Sequence, residues 1–241
     1  MAFKFNYITP PENGIQAIFR FLSTILVRFL ARTPVTPNHI TYFRTFIATC
    51  ALYLFSVGDH LSLLWAAGLF YVFEILDHVD GDLARFTKQF SKVGPLLEQF
   101  VDTWSSRPSN IFGLSIAIGM YNQSGNVIGF ILFGATVFGR LMWLEYREYF
   151  GWVHSPKSDT KEYQRVLSIS SPKMLLRNLF EILYIWNNTF LLLAALFYTP
   201  IQNWFEVNPL VIAFTVVAIL NNIPWLVIVI SGFSKAHNNQ P

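Results

Sequence analysis

The chain has 241 residues, 53% of them hydrophobic, 17% aromatic and 13% charged, with a formal net charge of +3. Soluble domains carry about a quarter charged residues, so this composition cannot cover a water-facing surface and fits an outer surface that meets lipid. The basic residues lie between apolar runs and form no stripe, which argues against nucleic acid as a partner.

Residues 1–15 contain Pro10 and Pro11 and no long apolar run, so no cleavable signal peptide is expected. Residues 11–32 predict an amphipathic helix lying in the membrane interface. Ile15, Ile18, Phe19, Leu22, Ile25, Leu26 and Phe29 recur at helical spacing, with Arg20, Arg28 and Arg32 spread among them. A hydrocarbon core about 30 Å thick needs roughly 20 apolar residues in a helix. Six stretches qualify: 39–57, 61–86, 94–120, 126–149, 174–198 and 208–232. The first follows Thr36-Pro37-Asn38, a capping residue beside a proline. The lone cysteine, Cys50, excludes an intramolecular disulfide and reads as a packing residue of this first span. The expected fold is an all-α integral membrane protein, with six transmembrane helices preceded by the interfacial helix. No repeat, linker or second domain interrupts residues 1–241.

Charge in the short loops sets the expected orientation. Lys4, Arg20, Arg28 and Arg32 precede span 1, Lys88 and Lys92 join spans 2 and 3, and Lys235 lies in the tail. Arg147, Lys157, Lys161, Arg165 and Lys173 lie between spans 4 and 5. The loops near 58–60, 121–125 and 199–207 contain no Lys or Arg. The excess of basic residues on one side predicts that both termini are cytoplasmic.

Span 2 ends with Asp77, Asp80, Gly81, Asp82, Ala84 and Arg85, and span 3 begins with Gly94, Glu98 and Asp102. An acidic residue at a span centre costs about 2.5–3.5 kcal/mol on insertion scales. Asp77, Asp80, Glu98 and Asp102 together could therefore cost on the order of 10 kcal/mol at full depth, less near the cytoplasmic end. Asp77, Asp80, Gly81 and Ala84 fall at i, i+3, i+4 and i+7 on one helix face, and Gly94, Glu98 and Asp102 share another. The short loop makes the two helices antiparallel neighbours, so the acidic faces can meet. Four converging carboxylates repel unless a cation sits between them, and all-oxygen ligands suit Mg2+, Mn2+ or Ca2+ rather than zinc. Gly81 and Ala84 remove bulk on the same face, which lets a phosphate-bearing ligand approach. Asp82 points elsewhere and reads as a solvated helix-end residue.

These residues resemble the signature of the CDP-alcohol phosphotransferase family, D-x2-D-G-x2-A-R-x8-G-x3-D-x3-D. The chain reads Asp77-x2-Asp80-Gly81-x2-Ala84-Arg85-x8-Gly94-x3-Glu98-x3-Asp102, so every spacing agrees and Glu98 is the single departure. The start of span 1, Thr36-Pro37-Asn38-His39-Ile40-Thr41, is similar to the family as well. The resemblance implies a membrane enzyme of phospholipid biosynthesis. A hydroxyl attacks the phosphoryl group next to the alcohol of a CDP-linked alcohol, and CMP leaves. It implies Asp77, Asp80, Glu98 and Asp102 as ligands of paired Mg2+ or Mn2+ ions, with Asp102 also the general base. Gly81, Ala84, Arg85 and Gly94 would border the CDP group. It implies a homodimer and a site open to the cytoplasm. Glutamate at position 98 adds one methylene, and Mg2+ tolerates poor geometry badly.

Past Asp102, residues Ser105, Ser106 and Ser109 continue its stripe at helical spacing, and Arg107 is an intramembrane cation. With Arg140 and Arg177 they form a candidate acceptor pocket, since arginines suit a phosphorylated acceptor. Arg177 could instead pair with Glu181 four residues on, and Arg140 with Glu145. Asn187, Asn188, Asn221 and Asn222 equally suit interhelical hydrogen bonds. The function expected is transfer from a CDP-lipid, such as CDP-diacylglycerol, to a small polar acceptor. Three other readings remain: CDP-head-group transfer to diacylglycerol, a catalytically silent member, and a divalent-cation carrier.

Overall fold

A computed structural model describes residues 6–10, 14–105, 107–149 and 187–238. Those residues form helices and connecting turns, with no strand among them. Helix α1 spans Gly14–Leu30, α2 Pro37–Val57 and α3 His60–Thr87. Helix α4 spans Gly94–Ser105, α5 Ile111–Ser124 and α6 Ile128–Tyr149. Helix α7 spans Asn187–Leu196, α8 Tyr198–Phe205 and α9 Pro209–Asn238.

Local chemistry sets the ends of the two helices that carry most of the site. Thr36 caps α2: its hydroxyl accepts from the His39 amide, and His39 Nδ1 accepts from the Thr36 amide. Proline follows the cap, where its fixed φ suits a helix start and its missing N–H costs nothing. The C-terminal end of α2 is Gly58 at φ 83°, where α2 and α5 approach so closely that a Cβ would collide with the Gly119 backbone. Asp59 then caps α3 by accepting from the Leu61 and Ser62 amides at 3.0 Å.

Helices α2 and α3 pack along their length, α1 lies on α3, and α2 also meets α4 and α5. Helix α6 packs on α5 and α9, and α7 joins α3 to α9. The core is aromatic: Phe70 stacks on Phe112 at 4.5 Å, with Phe55 and Phe73 at 5.4 and 5.2 Å from that pair. Asn222 on α9 donates to the Ala135 carbonyl of α6 at 2.9 Å, an interhelical bond of the kind its position predicts. Cys50 is half-buried on α2.

Helices α2, α3 and α6 are long and apolar enough to cross a membrane. The α8–α9 pair, bent by 100°, makes a fourth candidate if it counts as one span. The apolar helices indicate an integral membrane protein. Two expectations change, and a third lies largely outside the described residues. The stretch 94–120 is two helices, because Pro108 cannot donate a helical hydrogen bond and its ring clashes with the preceding turn. The stretch 199–207, read as a loop, contains α8. Of the stretch 174–198, only 187–198 lies among the described residues.

Candidate functional site

The antiparallel pairing of α2 with α3 brings the N-terminal end of α2 beside the C-terminal end of α3, and α4 starts at the same end. Asp80 and Asp77 lie one turn apart on α3, with Asp77 deeper. Glu98 and Asp102 lie one turn apart on α4, with Asp102 deeper. Oxygens of Asp77, Glu98 and Asp102 come within 4.8 Å of one another. Asp80 stands slightly apart from that trio, and its Oδ2 accepts from the Thr41 hydroxyl at 2.9 Å.

Sequence reasoning missed the residue that ties the cluster together. Arg44 on α2 is 0% exposed, and its guanidinium reaches three of the four carboxylates. It pairs with Asp77, with Asp80 at 3.5 Å and with Asp102 at 3.2 Å. Its Cζ also lies 5.5 Å over the Phe73 ring, so it rests on the aromatic core. The expectation that carboxylates in this bundle require a compensating cation is met in part by this side chain. A signal was present: Arg44 follows Thr41 by three residues on one helix face and is an arginine inside a span.

Beside the cluster, where α3 ends and α4 begins, a cleft of about 230 Å³ is lined by Asp80, Gly81, Ala84, Arg85, Gly94 and Glu98. The motif positions expected to border a nucleotide thus share one cleft. Pro37, Asn38 and Thr41 supply the α2 wall, and Gln89, Phe90 and Ser91 the loop wall. Ser91 stitches that rim: its hydroxyl accepts from the Gly94 amide at 2.8 Å and donates to Asn38 Oδ1 at 3.1 Å. Gly81 leaves room for the Arg85 guanidinium, which a Cβ there would meet at 3.1 Å.

Asp82 is not a solvated end residue. It is 0% exposed and accepts four donors. Thr9, Arg20 and Arg85 reach Oδ1 at 2.6, 3.0 and 2.7 Å, and Ser23 reaches Oδ2 at 2.7 Å. Thr9, Arg20 and Ser23 come from the segment before α2, Arg85 comes from α3 itself, and together they leave Asp82 no contact with solvent.

The acceptor-side residues are not gathered as expected. Helix α4 ends at Ser105, so the helical stripe through Ser105, Ser106 and Ser109 does not persist. Ser105 is buried and donates to its own helix at the Val101 carbonyl. Ser109 and Arg107 lie in the α4–α5 turn, where Arg107 is exposed. Arg140 is half-buried on α6, which packs on α5 and α9 rather than on the acidic helices. Ser106, Arg177 and Glu181 lie outside the described residues. The structure instead sets Glu74, half-buried one turn below Asp77, in a hydrogen bond with Asn188 of α7.

Comparison with curated proteins finds no match. The family model of CDP-alcohol phosphatidyltransferase matches residues 34–219. That family transfers a phosphatidyl group from a CDP-alcohol to an alcohol acceptor in phospholipid synthesis, and it uses divalent metals. The match runs from the cap of α2 into α9 and includes the whole acidic cluster, so the chain belongs to the CDP-alcohol phosphatidyltransferase family.

Proposed function

We propose that the chain is a working transferase that moves a phosphatidyl group from a CDP-linked lipid to a hydroxyl of a small polar acceptor, releasing CMP. The observation that carries this reading is the shared cleft: the four non-acidic motif residues line the same cavity as Asp80 and Glu98, directly above Asp77 and Asp102. The donor's CDP group would lie along Gly81, Ala84, Arg85 and Gly94, where small side chains admit phosphate and Arg85 offers a planar donor.

The donor set fits a hard divalent cation such as Mg2+ or Mn2+. It contains only carboxylate oxygens, three of them within 4.8 Å. Four negative charges face the single positive charge of Arg44, so the arginine leaves an excess that a cation would offset. Asp77, Glu98 and Asp102 would hold it, with Asp80 completing the set for a second ion. When bound, such ions offset charge on the attacking and leaving oxygens. The residues do the rest. Arg44 orients the Asp77, Asp80 and Asp102 carboxylates. Asp102 takes the acceptor hydroxyl's proton as the new P–O bond forms and the bond to CMP breaks.

The architecture we favour has six spans, both termini in the cytoplasm, α1 in the membrane interface and the cleft open to the cytoplasm. What supports it is the sidedness of the basic loops and the outward apolar face of α1, where Ile18 and Phe29 are 60% and 69% exposed. Arg44 also favours a second reading, a silent member that binds nucleotide without turnover, because it compensates the cluster without a metal. One assay separates the two: CMP release from CDP-diacylglycerol by purified protein, across a panel of polar acceptors. Turnover that stops on chelation and returns with Mg2+ or Mn2+ is expected. No CMP release with any acceptor and either metal would overturn the enzyme reading.

A further inference from the structure

We propose that Asp82 is a positioning residue, which fixes Arg85 on the wall of the donor cleft and makes the setting of Arg85 depend on the docking of α1. The inference rests on the donor-cleft reading above.

A carboxylate has about four lone-pair sites, and Asp82 fills them with four donors while fully buried. Three donors, Thr9, Arg20 and Ser23, come from the N-terminal segment, and only Arg85 comes from α3 itself. Asp82 is therefore a point where the N-terminal segment and the cleft wall share one charge. Arg85 turns one side to Asp82 at 2.7 Å, and its side chain remains 48% exposed toward the cleft. An arginine held in place binds a phosphate group without being ordered on binding, and its planar fork gains most from that. With α1 undocked, Asp82 loses three donors and must be satisfied by Arg85 and water. The guanidinium is then drawn off its setting over Gly81.

Helix α1 is built for such coupling. Its buried side carries Ser23 and Thr24, and Thr24 accepts from the Ile8 amide at 3.3 Å. Its attachment to α3 joins the hydrogen bonds to Asp82 to an apolar cluster of Val27 with Leu76, Val79 and Leu83, while its outward face is apolar.

The test is CDP binding to the full chain in detergent, measured by calorimetry for wild type, Asp82→Asn, Arg85→Ala and the double variant. Asp82→Asn should weaken CDP binding about tenfold, and Arg85→Ala at least as much. The double variant should bind no more weakly than Arg85→Ala, because residues acting through one contact are not additive. A purely structural Asp82 would lower yield or melting temperature and leave the Kd of folded protein unchanged, and that result overturns the proposal. So do effects that multiply in the double variant. Thr9→Val with Ser23→Ala spares both Asp82 and Arg85 and serves if Asp82→Asn does not fold. It should weaken CDP binding about threefold, and only while Arg85 is present. Wild-type affinity in that variant refutes the coupling to α1. A wild-type chain that binds no CDP refutes the donor cleft and this inference with it.

Discussion

Arg44 offers the sharpest test of how the acidic cluster is tolerated inside the bundle. Replacing it with methionine keeps the bulk of the side chain and removes the charge. The guanidinium lies 3.5 Å from Asp80 and 3.2 Å from Asp102 and also pairs with Asp77. At an effective dielectric of about 20, a pair at that range is worth about 5 kcal/mol before desolvation. Asp80 contributes most, since its side chain is 8% exposed, whereas that of Asp102 is 41% exposed and water screens it. Removing one partner of a buried pair costs about 3–5 kcal/mol in measured cases. For a chain of this size each kcal/mol moves the melting temperature by about 2–4 °C. Metal-free Arg44→Met should therefore melt about 10 °C below metal-free wild type. Mn2+ should recover much of that loss, because a cation at Asp77, Glu98 and Asp102 replaces the missing charge, so the metal-induced rise should be larger in the variant. The assay is a thermal melt in detergent, with and without Mn2+ after chelation. A variant within about 2 °C of wild type without metal, or an equal Mn2+ shift in both proteins, would refute the view that arginine and metal share the same charge.

Further outcomes follow from other residues. Glu98→Asp withdraws the carboxylate by about 1.5 Å, and misplacement on the order of 1 Å can cost about 100-fold. CMP release should fall by about that factor, and further in Glu98→Gln; three equally active proteins would remove Glu98 from the ligand set. Asp59 caps α3, and its hydrogen bonds from Ser62 hold its carboxyl below the ordinary value of 3.8. The stability it adds is present above that value and is lost as the pH falls through the lower folded-state value. Asp59→Ala should melt below wild type at pH 7, and the gap should close in acid. A gap unchanged at pH 2 would show that the charged cap is not its cause. A cysteine at Ser158, with Cys50 replaced by alanine, should be labelled by a membrane-impermeant reagent only after the cells are opened. Labelling of intact cells would overturn the orientation.

What the sequence reveals and what it hides divide along a physical line. The starts of α2 and α3 are local events. Thr36, Pro37 and His39 form a cap within four residues, and the apolar runs behind them match the observed helices closely. The acidic faces are legible because helical spacing places Asp77 with Asp80 and Glu98 with Asp102. The α4–α5 break is less so, since membrane helices often tolerate proline when neighbours satisfy the freed backbone. The break removes the serine stripe that helical spacing projected. Asp82 and Arg44 depend on contacts distant in sequence. Asp82 is buried by residues 59 to 73 positions away. Arg44 meets its carboxylates through the register of α2 against α3 and α4, which no spacing within one helix encodes.

The two faces of α1, Ser23 and Thr24 inward beside Val27 and large apolar groups outward, change what detergent can do to it. A helix held by apolar contacts alone competes poorly with micelle tails, which offer the same chemistry. Beside the apolar seat of Val27, helix α1 is held by a hydroxyl and a guanidinium reaching one carboxylate, and a micelle has nothing equivalent to give for those. Extraction should strip lipid from Ile18, Ile25 and Phe29 yet leave the helix on α3. Within the low dielectric of a micelle those polar bonds gain strength. The segment that looks most peripheral in the chain should therefore be among the last to leave it.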